Sequence, residues 1–519
     1  MDSAPSRRPW LLASIAPCFA LALQRPWVRE AFPVWDYPDV LPILRRAHGL
    51  WDGARAIAEF NRPDGRANYL SYFQFSATWQ AIAGDPVGWQ LQRALFMLAA
   101  AVLLVWVARR LGATPLAAGI GAALFVVAVP STEGWLFLAA EPLTTVLLLL
   151  IVLVGAGYRT APGWRLRAVV IAVLASAVML SKEVHALLLP VPILFAVCWD
   201  PQTGFRRPAM GPRERWLAVL LLLVIALEAW SVRSALRAGV PGNYASAFGQ
   251  SGLDAGRAWT VFQAVLLPAR FSSAGIGSVL YPANLLFLTL LLVGLALPAR
   301  AGRREPGWWW WVLGLLSFPV IGALTYGLWP RYSAFYGIPF FAGSVGLLIL
   351  SASWIERQHR TGRLITGLLG ILAIGFTTIV SARTIRQKHT TADFAAGISR
   401  ALPQARLDTL LIVTPRQGVR RWPVSARELR HYALFLGLPD SVLPVMEDAS
   451  CENVARRLQQ PLGRNAILND QNSCGRLGAQ TLTWVAEVGY LDWTTLQRAV
   501  DTMRVDLLAP GWTPGQPRP

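Results

Sequence analysis

Negative charge is scarce in this chain: 29 Asp and Glu stand against 48 Lys and Arg in 519 residues, and charged residues of all kinds make up 15%. With 54% hydrophobic residues beside so few charges, several windows exceed what a soluble core can bury, which excludes an ordinary water-soluble protein. Cysteine and histidine are rare as well, four and five in number, and no Cys/His spacing of the zinc type occurs. There is no Walker loop, GxGxxG or GxSxG at a strand-to-helix junction, so ATP-driven chemistry and a triad hydrolase lose support. No convincing internal repeat appears either, which weighs against a lipid or solute transporter.

What the chain has is hydrophobic runs. They fall at about 10–23, 94–108, 117–130, 135–156, 168–180, 184–198, 216–232, 283–297, 308–328, 334–353 and 364–381, about eleven membrane segments if the first is retained. The first run follows Arg7 and Arg8 and has two readings, a signal peptide with a weak cleavage pattern at Ala20-Leu21-Ala22 or a retained helix. The formal net charge of +19 does not point to nucleic acid, because the basic residues cluster in every second connection between apolar runs. Arg109-Arg110, then Arg159, Arg165 and Arg167, then Arg206 to Arg215, then Arg300 to Arg304, then Arg357 to Arg363 alternate with connections that carry Glu133, Lys182-Glu183, the interval 233–282 and Trp329-Pro330-Arg331-Tyr332. By the positive-inside rule the basic loops are cytoplasmic; the other connections, the 28–93 loop and the tail face outward. Among 23 Trp residues, Trp308 to Trp311 read as an interfacial anchor at a helix start. The expected fold is an all-α polytopic membrane domain over 1–382, followed by a small extracytoplasmic α/β domain over 383–519. The localisation that follows is a multi-pass protein of the cell inner membrane.

In the tail, 407–414 reads as a buried strand, 425–436 as an amphipathic helix, 465–469 as a short strand and 496–505 as another helix. Cys451 and Cys474 lie outside the cytoplasm by this topology, where a disulfide persists and would contribute on the order of 3 kcal/mol. Cys18 and Cys198 sit in apolar runs and read as small core residues.

The longest polar interval in the first half of the chain, 28–93, carries Trp35-Asp36-Tyr37-Pro38-Asp39, then Phe60-Asn61-Arg62-Pro63-Asp64-Gly65-Arg66, then Gly84-Asp85-Pro86. Carboxylates and guanidinium groups beside a bilayer can hold an anionic headgroup and also supply a base; the plain alternative is a solvated loop edge with Asp36 capping a short helix. On the same side, Glu133 and Glu141 lie at and just inside a membrane segment, and Ser181-Lys182-Glu183-Val184-His185 interrupts one long apolar stretch. Charges near hydrocarbon cost at least a few kcal/mol each and usually face a bundle interior or a wet cavity. For Lys182-Glu183 the alternative is the turn of a helical hairpin, and for His185 a polar turn residue rather than a metal ligand. Arg331, before Tyr332, either snorkels to lipid headgroups or binds a phosphate with its planar fork.

Taken in order, these motifs resemble the GT-C glycosyltransferases that use polyprenyl-phosphate-linked sugars, close to the protein mannosyltransferase-like group. The motifs are Trp35-Asp36, Phe60 to Pro63, Gly84 to Pro86, Ser131-Thr132-Glu133-Gly134-Trp135, Leu180-Ser181-Lys182-Glu183 and Arg331-Tyr332. The resemblance spans about 10–355. This sequence departs from the family in one respect: Tyr37-Pro38 separates Asp36 from Asp39, where many such enzymes have adjacent or once-spaced acids. Asp36, directly after Trp35, matches the motif better. The resemblance implies an inverting, metal-optional transfer at the outer membrane surface from a polyprenyl-phosphate-linked sugar to a glycan, lipid or protein acceptor. Asp36, or Asp39 in its place, would be the base, and Lys182 and Arg331 would stabilise the leaving phosphate. Glu133, Glu183, His185, Tyr332, Arg62 and Arg66 would support them. A transporter, and another lipid-linked-sugar enzyme such as a polysaccharide polymerase or ligase, are the alternatives.

Overall fold

The computed structural model describes residues 8–24, 40–62, 66, 68–83, 85–136, 140–158, 160, 162–200, 204–205, 211–238, 252–270, 279–300, 308–328, 334–358, 360–405, 408–413, 426–435, 438–450, 452–453, 456, 465–470 and 481–484. The chain divides into two compact units, one of 1–27, 49–78 and 90–384, the other of 28–48, 79–89 and 385–519.

The first unit is helical. Its elements are α1 (Arg8–Gln24), α3 (Leu50–Asn61), most of α4 (Tyr69–Ile82) and of α5 (Pro86–Arg110), α6 (Pro115–Val127), α7 (Val129–Leu136), α8 (Glu141–Gly155) and α9 (Trp164–Ser181). There follow α10 (Pro190–Cys198), α11 (Pro212–Ala238), α12 (Ala255–Leu266), α13 (Pro282–Arg300), α14 (Trp308–Gly327), α15 (Ile338–Gln358) and the first half of α16 (Arg360–Ala405). α2 (Val40–Arg46) belongs to the second unit. Each expected apolar run contains a helix. Five described stretches are long and apolar enough to cross a membrane, over 87–110, 164–181, 310–327, 334–358 and 360–385; four shorter apolar helices accompany them. The chain is a multi-pass membrane protein.

α15 is the hub. Of its most apolar window 89% is buried, against 28–50% in the other four long segments. Its small residues allow this, as they do between membrane helices generally. A Cβ on Gly343 would come within 2.4 Å of Phe318 Cβ, and one on Gly346 within 2.8 Å of Leu315 Cδ2. Partner helices yield space as well: a Cβ on Gly121 of α6 would meet Ile349, and one on Gly294 of α13 would meet the Ser351 carbonyl at 2.4 Å. One apolar cluster lies around α8, α9, α10, α12 and α14, another around α1, α6, α13 and α16, and α15 contributes to both.

Two expectations need correction. The runs 117–130 and 135–156 are divided otherwise: Ala128, extended at φ −63° and ψ 151°, ends α6, and a separate eight-residue helix, α7, carries Glu133. The Val127 carbonyl, freed by that break, is taken by Gln24 Nε2 at 3.4 Å, by the Thr132 hydroxyl at 3.3 Å and by the Ser381 hydroxyl. A helix break in an apolar setting persists because side chains from neighbouring helices satisfy its carbonyls. Secondly, Cys198 is buried as expected but Cys18 is exposed on the outward face of α1. The tryptophan run is also two-sided: Trp310 is exposed, whereas Trp311 is buried, stacked on Phe195 at 4.4 Å and edge-on to Trp199 at 4.7 Å.

The second unit has an α/β part. β3 (Thr409–Val413), β4 (Val445–Ala449), β5 (Asn465–Asp470) and β6 (Thr481–Trp484) form a parallel sheet in the order β4-β3-β5-β6. β1 (Trp199–Asp200) and β2 (Gly204–Phe205) are a separate two-residue pairing in the first unit. The helix α17 (Ala426–Phe435) starts at the Asp448 carboxylate, which accepts the Ala426 N–H at 3.0 Å, and α2 packs on it, with Arg45 donating to the Leu434 carbonyl at 2.7 Å. The strands expected at 407–414 and 465–469 and the helix at 425–436 are present; the helix expected at 496–505 lies outside the described residues. Gly84-Asp85-Pro86 turns out to include a helix start. The Asp85 carboxylate accepts the N–H groups of Val87 and Gly88, each at 3.0 Å, and Pro86 supplies the first residue of α5, where its missing donor costs nothing.

Candidate functional site

Within the first unit, polar groups gather where α4, α8 and α9 meet a one-turn helix at Ala334–Gly337. α9 ends at Ser181, because Lys182 adopts an extended backbone at φ −164° and ψ 121° before a 3-10 turn over Glu183–Leu188. The end is anchored from two sides. Ser71 of α4 donates its hydroxyl to the Ser181 carbonyl, and the Ser181 and Thr144 hydroxyls share a hydrogen bond of 2.7 Å. Thr144 lies in the first turn of α8, whose first residue is Glu141.

That anchoring sets Lys182 against Glu141. The two form a buried ion pair, with side-chain exposures of 9% and 1%. The Lys182 ammonium also lies over the Tyr336 ring, 3.9 Å from its centroid. Tyr336 in turn stacks on Tyr326 at 5.5 Å with the planes 6° apart, and Tyr326 meets Phe340 edge-on at 5.9 Å. A desolvated cation on an aromatic face gains about 2 kcal/mol, and its carboxylate partner offsets part of the burial cost. The arrangement is therefore a cation held in a fixed place, with its charge matched by Glu141.

The other expected site residues fall as follows. His185 is fully buried in the 3-10 turn, edge-on to Phe340 at 6.0 Å, and neither ring nitrogen has a hydrogen-bond partner among the described residues. Glu133 is buried on α7, and α7 packs on the Ala334–Gly337 turn that carries Tyr336. Arg62 is exposed at the C-cap of α3, and Arg66 is half-buried. Asp36, Asp39, Arg331, Tyr332, Cys451, Cys474 and the Glu183 side chain lie outside the described residues. Among the described residues no three His, Cys, Asp or Glu side chains gather as a metal site would require.

Along α8, one turn on from the ion pair, runs an apolar groove. Thr145, whose hydroxyl donates to the Glu141 carbonyl at 2.8 Å, lies at its polar end, and Leu148, Leu149 and Val152 continue the same face of α8. At 1.5 Å per residue the face from Glu141 to Val152 extends about 16 Å. Pro339 brings in α15 opposite, and Phe195 and Trp311 also line the groove.

In the sequence Glu141 reads as a charge inside an apolar run, and nothing in the linear pattern pairs it with Lys182. Tyr336, Ser71 and Thr144 gave no signal, since their roles come from contacts between residues 37 to 154 positions apart in the chain (181 − 144 and 336 − 182).

No protein-family model matches the chain, and no curated protein matches it significantly. Among solved structures it is similar to the crystal structure of ArnT from Cupriavidus metallidurans in the apo state. That match has 12% identity, covers 87% of this chain and 88% of the other, and has a TM-score of 0.51. The crystal structure of ArnT from the same organism bound to undecaprenyl phosphate is similar with 12% identity over 87% and 92% of the two chains and a TM-score of 0.48. At such identity the likeness is one of fold, and it bears out the architecture expected from the motifs: the chain is a multi-pass membrane protein of GT-C-like fold.

Proposed function

We propose that the protein is an integral membrane glycosyltransferase that moves a sugar from a polyprenyl-phosphate donor to an acceptor on the outer face of the inner membrane. The observation that carries this reading is the fixed, desolvated Lys182 ammonium, paired with Glu141 one helical turn along α8 from Thr145 and the apolar groove that Thr145 lines, in a GT-C-like fold. A lipid-linked sugar has a long apolar chain, one anionic group and a polar head, and the groove and the cation match the first two. Arg331 is five residues before Tyr336 in the sequence, and the reading assigns it to the same phosphate as Lys182.

In this reading the acceptor hydroxyl attacks the anomeric carbon from the face opposite the phosphate, and configuration inverts. The carbon–oxygen bond to the phosphate breaks and its electron pair leaves on the phosphate oxygen. Asp36 takes the hydroxyl proton; Asp39 is the alternative base. Negative charge grows on the leaving phosphate, where preorganised cations lower the barrier most. Glu141 and Tyr336 hold Lys182 ready, so little reorganisation accompanies the step. The activation is already present in the phosphate ester, and no nucleotide is required. Glu133, Glu183, His185, Tyr332, Arg62 and Arg66 are assigned supporting parts, and no step depends on a metal.

The test is product formation. Purified protein in vesicles is given a panel of polyprenyl-phosphate-linked sugars with candidate glycan, lipid and protein acceptors; the reading expects release of free polyprenyl phosphate coupled to a new glycoside. Transport of the lipid or a solute across the same vesicles without any bond cleaved would favour the transporter instead.

A further inference from the structure

Along α4, Asn68, Ser71, Gln74 and Thr78 follow at spacings of three, three and four, so they form one stripe beginning at the residue before the helix, and all four are more than nine-tenths buried. Two of them are committed to the protein. Ser71 donates to the Ser181 carbonyl, next to Lys182, and the Thr78 hydroxyl donates to the Gln74 carbonyl at 2.8 Å and accepts Gln92 Nε2 at 2.8 Å. Gln74 sits between them, about 4.5 Å along the axis from Ser71. Its Nε2 and Oε1 have no hydrogen-bond partner among the described residues, and the same holds for Asn68 Oδ1. An unpaired buried carboxamide destabilises a fold that an apolar side chain of similar size would leave intact, so the residue calls for another explanation. A carboxamide presents two donor hydrogens and an acceptor side by side, which is the complement of neighbouring hydroxyls on a sugar ring.

We propose that Gln74 is a sugar-binding residue, whose carboxamide takes ring hydroxyls of the lipid-linked donor beside the Ser71–Ser181 contact. The inference rests on the glycosyltransferase reading and adds to it the group that selects the sugar. Asn68, three residues before Ser71 on the same stripe, contributes a further acceptor.

The experiment compares wild type with Gln74→Met, which keeps the volume and removes both polar atoms, in two measurements. The first is equilibrium binding of farnesyl phosphate and of farnesyl phosphate linked to mannose, glucose or arabinose. The second is thermal stability without ligand. We expect the variant to bind the preferred sugar-bearing probe about tenfold or more weakly, to bind farnesyl phosphate as wild type does, and to be as stable as wild type or more so. Equal binding of the sugar-bearing probes, an equal loss on all probes, or a destabilised variant with unchanged sugar preference would overturn the proposal. So would a wild type that binds no sugar-bearing probe better than farnesyl phosphate. Should wild type bind farnesyl phosphate not at all, the donor reading itself falls, and this inference with it.

Discussion

Lys182 and Glu141 exemplify what one buried pair does at the scale of the residue. Each charge alone would be untenable among apolar helices, and together they are tolerated because each is the other's solvent. Removing one partner leaves a buried charge uncompensated, so Lys182→Met and Glu141→Gln should each destabilise the protein by about 3–5 kcal/mol. The double variant should be far closer to wild type than the sum of the two. Thermal unfolding in detergent with all four proteins checks this; additive losses would mean that the pair does not act as a unit. Lys182 was legible in the sequence as a charge that interrupts an apolar stretch, and so was the need for something to face it. Its partner was not, because nothing in a linear pattern tells which of Glu133, Glu141 and Glu183 the backbone turn at Lys182 selects. That choice is made by hydroxyls: Ser71 and Thr144 fix the end of α9.

At the scale of the element, the chain uses missing side chains to bring helices together. α13 crosses α15 where Gly294 faces the Ser351 backbone, and an added Cβ would come within 2.4 Å of its carbonyl oxygen and 2.5 Å of its carbon. A backbone cannot step aside as a rotamer does, so Gly294→Ala must part the two helices, at about 1–3 kcal/mol. Gly367→Ala, whose Cβ would meet only Leu116 Cδ2 at 3.9 Å, is the control and should be neutral or slightly stabilising. A thermal shift in both variants alike would refute this packing argument. Hydrophobic length was enough to find each of the five described stretches long and apolar enough to cross a membrane, since a run of that character has few other options, but not α4 or α12, which lie in the 28–93 and 233–282 connections. It was not enough to place the break at Ala128 or the separate helix α7, because Val127 to Pro130 is as apolar as its surroundings. The break is stabilised by Gln24, Thr132 and Ser381, residues that are distant in sequence. In the tail, β3 and β5 had short apolar runs and α17 an amphipathic one, while β4 is interrupted by Glu447 and Asp448 and β6 is only four residues long.

For the whole molecule, the proposal requires sidedness. In the proposal, the basic connections at Arg109-Arg110, Arg159 to Arg167, Arg206 to Arg215, Arg300 to Arg304 and Arg357 to Arg363 are cytoplasmic, and Lys182, Arg331 and the 28–93 interval lie on the outer face. Single cysteines introduced at Arg206 and at Asp254, in a protein whose other cysteines are replaced, should therefore react with a membrane-impermeant reagent from opposite sides of an oriented vesicle. Labelling of both from one side would contradict the charge argument and scatter the proposed site. The central claim is sugar transfer with an aspartate base, and one variant addresses it most directly. Asp36→Asn preserves size and hydrogen bonding but cannot accept the acceptor's proton, so the loss should fall on turnover and not on donor binding. In the vesicle assay with polyprenyl-phosphate-linked sugars, the account predicts that Asp36→Asn lowers the rate by about a hundredfold to ten-thousandfold while donor affinity is kept, with Asp39→Asn much milder. An Asp36→Asn protein that turns over the donor as fast as wild type would contradict it.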